Sequence, residues 1–136
     1  MGDSMTQSER FTAGLAIFAE MFGEERARMR AGKSSPEDTR LGDLLMDFAY
    51  GDVWANPVFT RRERSLMTIA LLAGIGRQDE LEAHLGAALA NGCTEEELYE
   101  AMIHVILYCG FPAGISGHRT VKKVLASRDD MASSEP

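Results

Sequence analysis

Four helix-start signatures, each followed by apolar residues at helical spacing, constrain what this chain can fold into more than any other feature. In each one a serine or threonine stands three residues before an acidic residue; the pairs are Thr6 and Glu9, Ser35 and Asp38, Thr60 and Glu63, and Thr94 and Glu97. Such a hydroxyl accepts a hydrogen bond from a backbone N–H of the first turn and so fixes the start of a helix. No segment has the period-2 alternation of a half-buried strand. The chain is therefore predicted to be all-α.

The apolar residues after these signatures predict a compact bundle of six to seven helices. Helices are expected over residues 7–22, 24–30, 36–48, 61–73, 77–90, 95–109 and 114–126. The helix after Ser35 is expected to bury a stripe that contains Leu41, Leu44, Leu45 and Phe48. Residues 51–59 are expected to form a loop, since they contain Asn56 and Pro57. One domain is predicted over residues 1–127, with a polar, disordered tail over 128–136.

Two of these predicted helices, within residues 65–75 and 77–90, carry apolar side chains on more than one face. A single bundle of 136 residues cannot enclose both of them completely. Large exposed apolar surface usually meets another protein surface, and identical subunits are the commonest partner. We therefore expect a homo-oligomer.

Charge and cysteine content exclude several classes of function. The chain has 14 Lys and Arg residues against 21 Asp and Glu, which gives a net charge of −7, and the sequence pI is about 4.9. Such a surface repels phosphate, which argues against nucleic-acid and anionic-membrane partners. The two cysteines, Cys93 and Cys109, are expected to be reduced thiols. There is no signal-peptide pattern and no run of 18 apolar residues, so a cytoplasmic protein is expected.

Glu80 and His84 are the most suggestive polar residues, because they lie four apart on one face of an otherwise apolar helix. A carboxylate beside an imidazole in a site with little water is a common arrangement for a general acid or base. The same spacing also fits an exposed pair with no catalytic role. His104 lies in an apolar run and fits a core histidine. No two histidines stand at metal-ligand spacing, and the Glu80–His84 pair is not the HExxH arrangement of metalloproteases, so no metal is expected.

Several segments, in order and spacing, resemble the carboxymuconolactone decarboxylase family, specifically its 4-carboxymuconolactone decarboxylase branch. They are FAYGDVWANP at 48–57, RRERSL at 61–66, GRQDEL at 76–81 with His84, Asn91-Gly92, and His104 four residues before Tyr108 and the CGFPA of 109–113. The resemblance covers residues 8–127. It implies an alkylhydroperoxidase D-like all-α bundle that assembles into ring-like homotrimers or homohexamers. It also implies a decarboxylase of aromatic catabolism that acts on a small molecule without a cofactor.

The resemblance also implies roles for individual residues. His84 is expected to donate the proton and Glu80 to orient it. Trp54, Tyr108 and His104 are expected to contact the substrate as pocket walls or hydrogen-bond donors. Arg64 is expected either to anchor a substrate carboxylate or to form a structural ion pair.

At several positions the chain differs from the family members that it resembles. Arg77 and Glu80 stand where peroxidase relatives carry a redox CxxC, which excludes thiol peroxidase chemistry. Glu82 and Gly86 stand where decarboxylases of this branch typically carry arginine, and Gly114 and Ile115 replace an Ala-Asn pair. The expected substrate is therefore less anionic than a dicarboxylate lactone, such as another unsaturated lactone or a keto acid. A different lyase, isomerase or hydrolase of aromatic or secondary metabolism on the same scaffold, or a non-catalytic ligand-binding oligomer, is an open alternative.

Overall fold

The structure is a computed structural model that describes residues 4–32 and 35–134. Over these residues the chain forms seven α-helices and one π-helix and contains no β-strand. The helices are α1 (Gln7–Phe22), α2 (Glu24–Ala31), α3 (Pro36–Leu44), the π-helix (Leu45–Trp54), α4 (Arg61–Gly74), α5 (Gln78–Ala90), α6 (Glu95–Cys109) and α7 (Phe111–Ser134). The predicted all-α class is confirmed.

Three of the predicted helix starts have the expected capping bonds. Thr6 and Thr94 each form a complete capping box, in which the hydroxyl accepts from the N–H of Glu9 or Glu97 and the glutamate side chain accepts in return. The Ser35 hydroxyl accepts from the N–H of Asp38, and Pro36 occupies the first helical position. These bonds satisfy N–H groups that have no partner within the helix, so they fix where each helix begins.

The chain folds as two compact units that divide between Thr60 and Arg61. Each unit has its own buried residues and is described by itself below. The prediction of one domain over residues 1–127 stays a prediction.

In the first unit, two glycines let α1 and the π-helix approach closely. A Cβ atom added to Gly14 would lie 1.8 Å from the carbonyl oxygen of Met46, and one added to Gly51 would lie 2.1 Å from the carbonyl oxygen of Arg10. Only a hydrogen fits at either position, so the two helices are in backbone contact. Beside this contact, Phe18 packs edge-on against Tyr50, with ring centroids 5.1 Å apart.

The π-helix corrects two predictions. Residues 51–54 are helical and not part of a loop, which instead spans 55–60. The predicted apolar stripe is wrong, since Leu41, Leu44 and Phe48 are exposed and the buried side chains after Gly42 are Met46 and Tyr50. The hydrogen bonds of a π-helix span five residues rather than four, so the buried face moves away from the positions that an α-helical stripe would select.

In the second unit, α4, α5, α6 and α7 enclose a core of aliphatic side chains. Its fully buried large members are Ile69, Leu81, Leu85, Leu98, Met102 and Val121. Helix α7 differs from its prediction, because it begins at Phe111 and continues to Ser134 instead of ending near residue 126. Residues 128–134, predicted as a disordered tail, are helical, and no glycine or proline interrupts them. The last two residues of the predicted tail lie outside the described residues.

Several apolar side chains of the second unit are exposed in rows along their helices. Met67, Leu71 and Ile75 follow one another at four-residue spacing from α4, and Ile103 and Leu107 do so on α6. Leu71 and Leu107 are 67% and 69% exposed. The row on α4 is the apolar excess that the sequence predicted within residues 65–75. The excess predicted within 77–90 is wrong, since α5 exposes no large apolar side chain, and α6 carries a row instead.

Candidate active site

His84 lies in the middle of α5, on a side of the helix that is half-buried between fully buried neighbours. Leu81 and Leu85 fix this side against the core, and the Nδ1 atom of His84 has no contact with solvent. Burial lowers the pKa of His84 below its usual 6.5, because the charged imidazolium loses hydration, and the negative charge of Glu80 partly opposes this shift. At neutral pH the imidazole is therefore mainly neutral, and a nearby negative charge favours its protonated form.

Glu80 lies on the same face of α5 as His84, but its side chain is exposed. It interacts more strongly with Arg77 than with His84. Its Oε1 accepts a hydrogen bond from Nη2 of Arg77 at 2.5 Å. This bond lowers the pKa of Glu80, and its own backbone N–H lowers it further. Glu80 is therefore ionised across the neutral range and acts on His84 through its charge. The sequence analysis missed this role of Arg77, although the i,i+3 spacing of an arginine and a glutamate indicates such a pair.

Arg64 lies in the first turns of α4, half-buried, with its Nε atom shielded from solvent. The next residue, Ser65, is fully buried and accepts a hydrogen bond at 3.0 Å from Nδ2 of Asn91, at the end of α5. This bond connects the start of α4 to the end of α5. Arg62 on the same turn pairs with Glu97 of the α6 capping box. The start of α4 is therefore tied to both neighbouring helices, which holds Arg64 on a fixed backbone.

His104 and Tyr108 are brought together on α6, with ring centroids 5.2 Å apart. Both side chains are exposed, and Tyr108 is 77% exposed. The interpretation of His104 as a core histidine is therefore wrong. Its neighbours Ile103 and Leu107 are exposed as well, so the apolar run around it does not face the core of the unit.

Trp54 belongs to the first unit, where it ends the π-helix. Its ring stacks on Tyr50 with centroids 5.9 Å apart and planes 19° from parallel. Tyr50 is buried, and burial raises its pKa to about 12, with Arg30 acting weakly in the opposite direction. Tyr50 therefore keeps its proton and supports Trp54 as a rigid aromatic surface.

Two clefts of the first unit are lined by none of the predicted site residues. One, of about 520 Å³, lies between the start of α1, α3 and the π-helix and is lined by Arg40, Asp43 and Asp47 among others. Asp47 is already bound to Arg10 at 2.7 Å. The side-chain chemistry of α5, and not this cleft, locates the candidate site.

Metal binding and membrane insertion find no support in the described part of the chain. No group of three or more His, Cys, Asp or Glu side chains in residues 4–32 and 35–134 is arranged to hold a metal ion. Of the helices in these ranges, none has both the length and the apolar character that a membrane span requires.

Glu82 and Gly86 stand where decarboxylases of the resembled branch typically carry arginine, and the structure shows what surrounds each of them. Glu82 binds Nζ of Lys123 on α7 at 3.0 Å, so its side chain is directed toward α7. Gly86 is exposed, and a Cβ atom added there meets nothing within 4 Å. Residues two apart on an α-helix are about 200° apart around its axis, so neither position shares the face of His84.

Comparison with known proteins assigns the class. Residues 39–117 match the profile of the carboxymuconolactone decarboxylase family. Over 120 residues the chain is 35% identical to 4-carboxymuconolactone decarboxylase of Acinetobacter baylyi, which covers 88% of this chain and 90% of the relative. The chain therefore belongs to the carboxymuconolactone decarboxylase family.

Two further relatives extend the comparison. Over 115 residues the chain is 31% identical to nitrosuccinic acid decarboxylase of Metarhizium robertsii, with 85% of this chain and 80% of the relative covered. Over 90 residues it is 36% identical to peroxisomal protein 2 of Schizosaccharomyces pombe, with 65% and 41% covered. The chain is thus a decarboxylase, a carboxy-lyase of this family.

Proposed function

We propose that this decarboxylase removes CO₂ from an unsaturated lactone or a keto acid without a cofactor, that His84 donates the proton, and that Glu80 orients it. One observation carries the proposal. The half-buried imidazole of His84 sits beside a carboxylate that stays ionised, in a helix whose other side is packed into the core. A proton donor needs this combination of restricted hydration and an adjacent charge that stabilises its protonated form.

The reaction requires little from the protein, because the substrate accepts its own electrons. The bond between the substrate carbon and its carboxylate breaks, CO₂ leaves, and the electron pair moves into a conjugated carbonyl to form an enolate. A proton from His84 Nε2 or Nδ1 then adds to carbon, and His84 regains a proton from water. The protein binds the substrate so that the breaking bond is aligned with the conjugated system, and it stabilises the enolate oxygen.

Substrate binding supplies the charge that His84 needs. Burial favours the neutral imidazole in the unoccupied site, and a bound carboxylate adds a second negative charge to that of Glu80. Both charges raise the pKa of His84. The proton donor is therefore formed mainly in the complex with substrate.

Four further residues are proposed to contact the substrate. The guanidinium of Arg64, on the fixed start of α4, is the proposed anchor for a carboxylate. Trp54, Tyr108 and His104 are proposed as aromatic walls or hydrogen-bond donors. The exposed His104–Tyr108 pair offers an aromatic surface and two polar groups to a ligand.

The names of the two decarboxylase relatives support a shared requirement on the substrate. One acts on 4-carboxymuconolactone and the other on nitrosuccinic acid. In both compounds a carboxylic acid is combined with an electron-accepting group, a lactone carbonyl or a nitro group. We propose that the substrate of this chain has the same combination, and that it carries fewer negative charges because Glu82 and Gly86 supply no guanidinium.

We also propose that the protein is a ring-like homotrimer or homohexamer of the cytoplasm that acts in aromatic catabolism. The rows of exposed apolar side chains on α4 and α6 support the assembly, since subunit contacts would remove them from water. Sedimentation at micromolar concentration is expected to give a multiple of the 14.9 kDa chain mass. A mass near 15 kDa would contradict it.

The function is tested by CO₂ release from 4-carboxymuconolactone, nitrosuccinic acid and a panel of keto acids. His84→Ala is expected to lower kcat by at least about 100-fold, which is the usual contribution of a general acid. In D₂O the product is expected to carry one deuterium. It is expected at the carbon that lost CO₂ when that carbon is bonded directly to the electron-accepting group, and at the carbon next to the lactone carbonyl when the electron pair moves through a C=C bond, as in 4-carboxymuconolactone. His118→Ala, at an exposed histidine of α7, is the matched control and should keep its activity.

Other outcomes would identify the alternatives. Conversion of a lactone without CO₂ release would indicate an isomerase or hydrolase, and binding without turnover would indicate a non-catalytic protein. Full activity of His84→Ala would exclude His84 as the proton donor.

A further inference from the structure

Three side chains form a line along one face of α5. Arg77 stands at the N-cap, Glu80 lies in the first turn and His84 lies one turn later. Because residues three and four apart are neighbours on a helix, Glu80 is adjacent to both of the others. We propose that Arg77 is a positioning residue that competes with His84 for the carboxylate of Glu80. This inference rests on the proposed function, in which His84 handles the proton.

The backbone before α5 leaves the side chain of Arg77 available for this contact. Gly76 has φ of 79°, a left-handed conformation that turns the chain out of α4 and into α5. Arg77 makes no side-chain cap bond to the helix, and its guanidinium instead donates to Glu80 Oε1 at 2.5 Å. The contact is a charge-assisted hydrogen bond, the stronger kind of polar contact in proteins.

Two other groups hold Glu80 at the same end of the helix. Its carboxylate also accepts from its own backbone N–H, and it lies in the first turn, where the helix dipole favours a negative charge. All these interactions draw the carboxylate toward the N-terminus of α5. His84 lies in the opposite direction along the face, so each of them limits how closely the carboxylate approaches the imidazole.

The competition sets the charge of the imidazole before substrate binds. The pKa of His84 is lowered by burial and raised by the charge of Glu80. By keeping the carboxylate near the helix start, Arg77 lets burial dominate, so the unoccupied site keeps a neutral imidazole. The negative charge of a bound substrate then determines when His84 becomes protonated.

Charged groups on α4 and α7, the helices that pack against α5, also contribute to the electrostatic environment of His84. On α7, Lys123 is bound by Glu82, and the ring of His118 contacts Tyr99. On α4, Arg62 is bound by Glu97, and Arg64 has its Nε shielded from solvent. Each of these groups is the same in all the variants below, so differences between the variants report on Arg77 and Glu80.

The test is an NMR titration of the His84 ring in the unliganded full-length protein, with its signal assigned by comparison with His84→Ala. Arg77→Gln is expected to raise the titration midpoint of His84, and Glu80→Gln is expected to lower it. Arg77→Lys, which keeps the charge, should stay closer to the unmodified protein. In the double variant the midpoint should match that of Glu80→Gln alone, because Arg77 acts only through Glu80.

Activity gives a second measurement. At a pH above the midpoint, Arg77→Gln is expected to increase kcat/KM about two- to fivefold, the range set by an exposed ion pair. Arg128→Gln, which removes the same charge from an exposed position of α7, is the matched control and should change neither measurement.

Two results would overturn the inference. One is a His84 midpoint in Arg77→Gln that falls or does not move, and the other is an effect of Arg77→Gln that persists when Glu80 is already Gln. The titration contains no substrate, so it tests Arg77 even if His84→Ala keeps full decarboxylase activity. Failure of the proposed function is seen in that variant, whereas failure of this inference is seen in the titration.

Discussion

Replacing Gly14 by alanine is expected to destabilise the first unit, because Gly14 lies at a backbone contact. Replacing Gly86 by alanine, which adds the same methyl group in open space, is expected to stabilise the second unit. In Gly14→Ala the new Cβ would lie 1.8 Å from the carbonyl oxygen of Met46, which belongs to a helix backbone and not to a mobile side chain. Non-bonded atoms prefer separations of about 3.5 Å, so α1 and the π-helix would have to move apart by about 1.7 Å. In Gly86→Ala the Cβ meets no atom within 4 Å.

The magnitudes follow from two opposing effects. Replacing glycine by alanine inside a helix stabilises it by about 1 kcal/mol. Overpacking against a rigid neighbour costs about 3 kcal/mol, the upper part of the usual range. Gly14→Ala should therefore lose about 2 kcal/mol of unfolding free energy, and Gly86→Ala should gain about 1 kcal/mol.

The assay is urea unfolding followed by fluorescence and by circular dichroism. The chain has one tryptophan, Trp54, and it lies in the first unit, so its fluorescence reports on the unit that contains Gly14. A loss of about 2 kcal/mol lowers the midpoint of that transition by about 1 M urea. An unchanged or higher midpoint in Gly14→Ala would refute the backbone contact. A lower midpoint in Gly86→Ala would refute the open space at that position.

Three further predictions concern the second unit. Ser65→Ala removes the acceptor of the Asn91 amide at a fully buried position, so it should lower the unfolding free energy by about 1–3 kcal/mol in urea titrations; an unchanged midpoint would show that the bond contributes nothing. With His84 as the proton donor, kcat/KM should fall as pH rises through a midpoint below 6.5, because burial lowers the pKa of the imidazole and only its protonated form is active. A rate that instead rises through this midpoint would make His84 a base. EDTA should leave decarboxylation unchanged, since no three His, Cys, Asp or Glu side chains among residues 4–32 and 35–134 are grouped so that they could hold a metal ion; loss of activity that zinc restores would contradict it.

Three helix starts could be predicted from the sequence because their caps depend on residues three apart, whereas the start of α7, at Phe111, lies three residues before its predicted position. The capping boxes at Thr6 and Thr94 and the cap at Ser35 are local bonds, and all three are present. The buried face of residues 36–54 could not be predicted in the same way. It depends on the backbone contact between Gly14 and Met46, residues far apart in sequence, and on a π-helix that no local pattern of apolar residues indicates.

In the candidate site, too, some features follow from local spacing and others depend on the tertiary fold. The shared face of Glu80 and His84 follows from four-residue spacing, which any α-helix imposes. The surroundings of His104 required the tertiary fold, because Ile103 and Leu107 beside it are themselves exposed and an apolar run does not by itself indicate a core. The hydrogen bond from Arg77 to Glu80 is a local one, because the two residues are three apart, and the sequence analysis did not use that spacing.

The number of residues in the π-helix, and not only their identity, determines the orientation of the Trp54 ring at its end. A π-helix contains more residues per turn than an α-helix, so it accommodates a one-residue insertion or deletion by changing its winding. Removal of one residue from 45–54 would allow α-helical winding and turn the ring of Trp54 by about 100° relative to α3. Length variation in this segment would therefore redirect the aromatic surface while leaving the composition around it nearly the same.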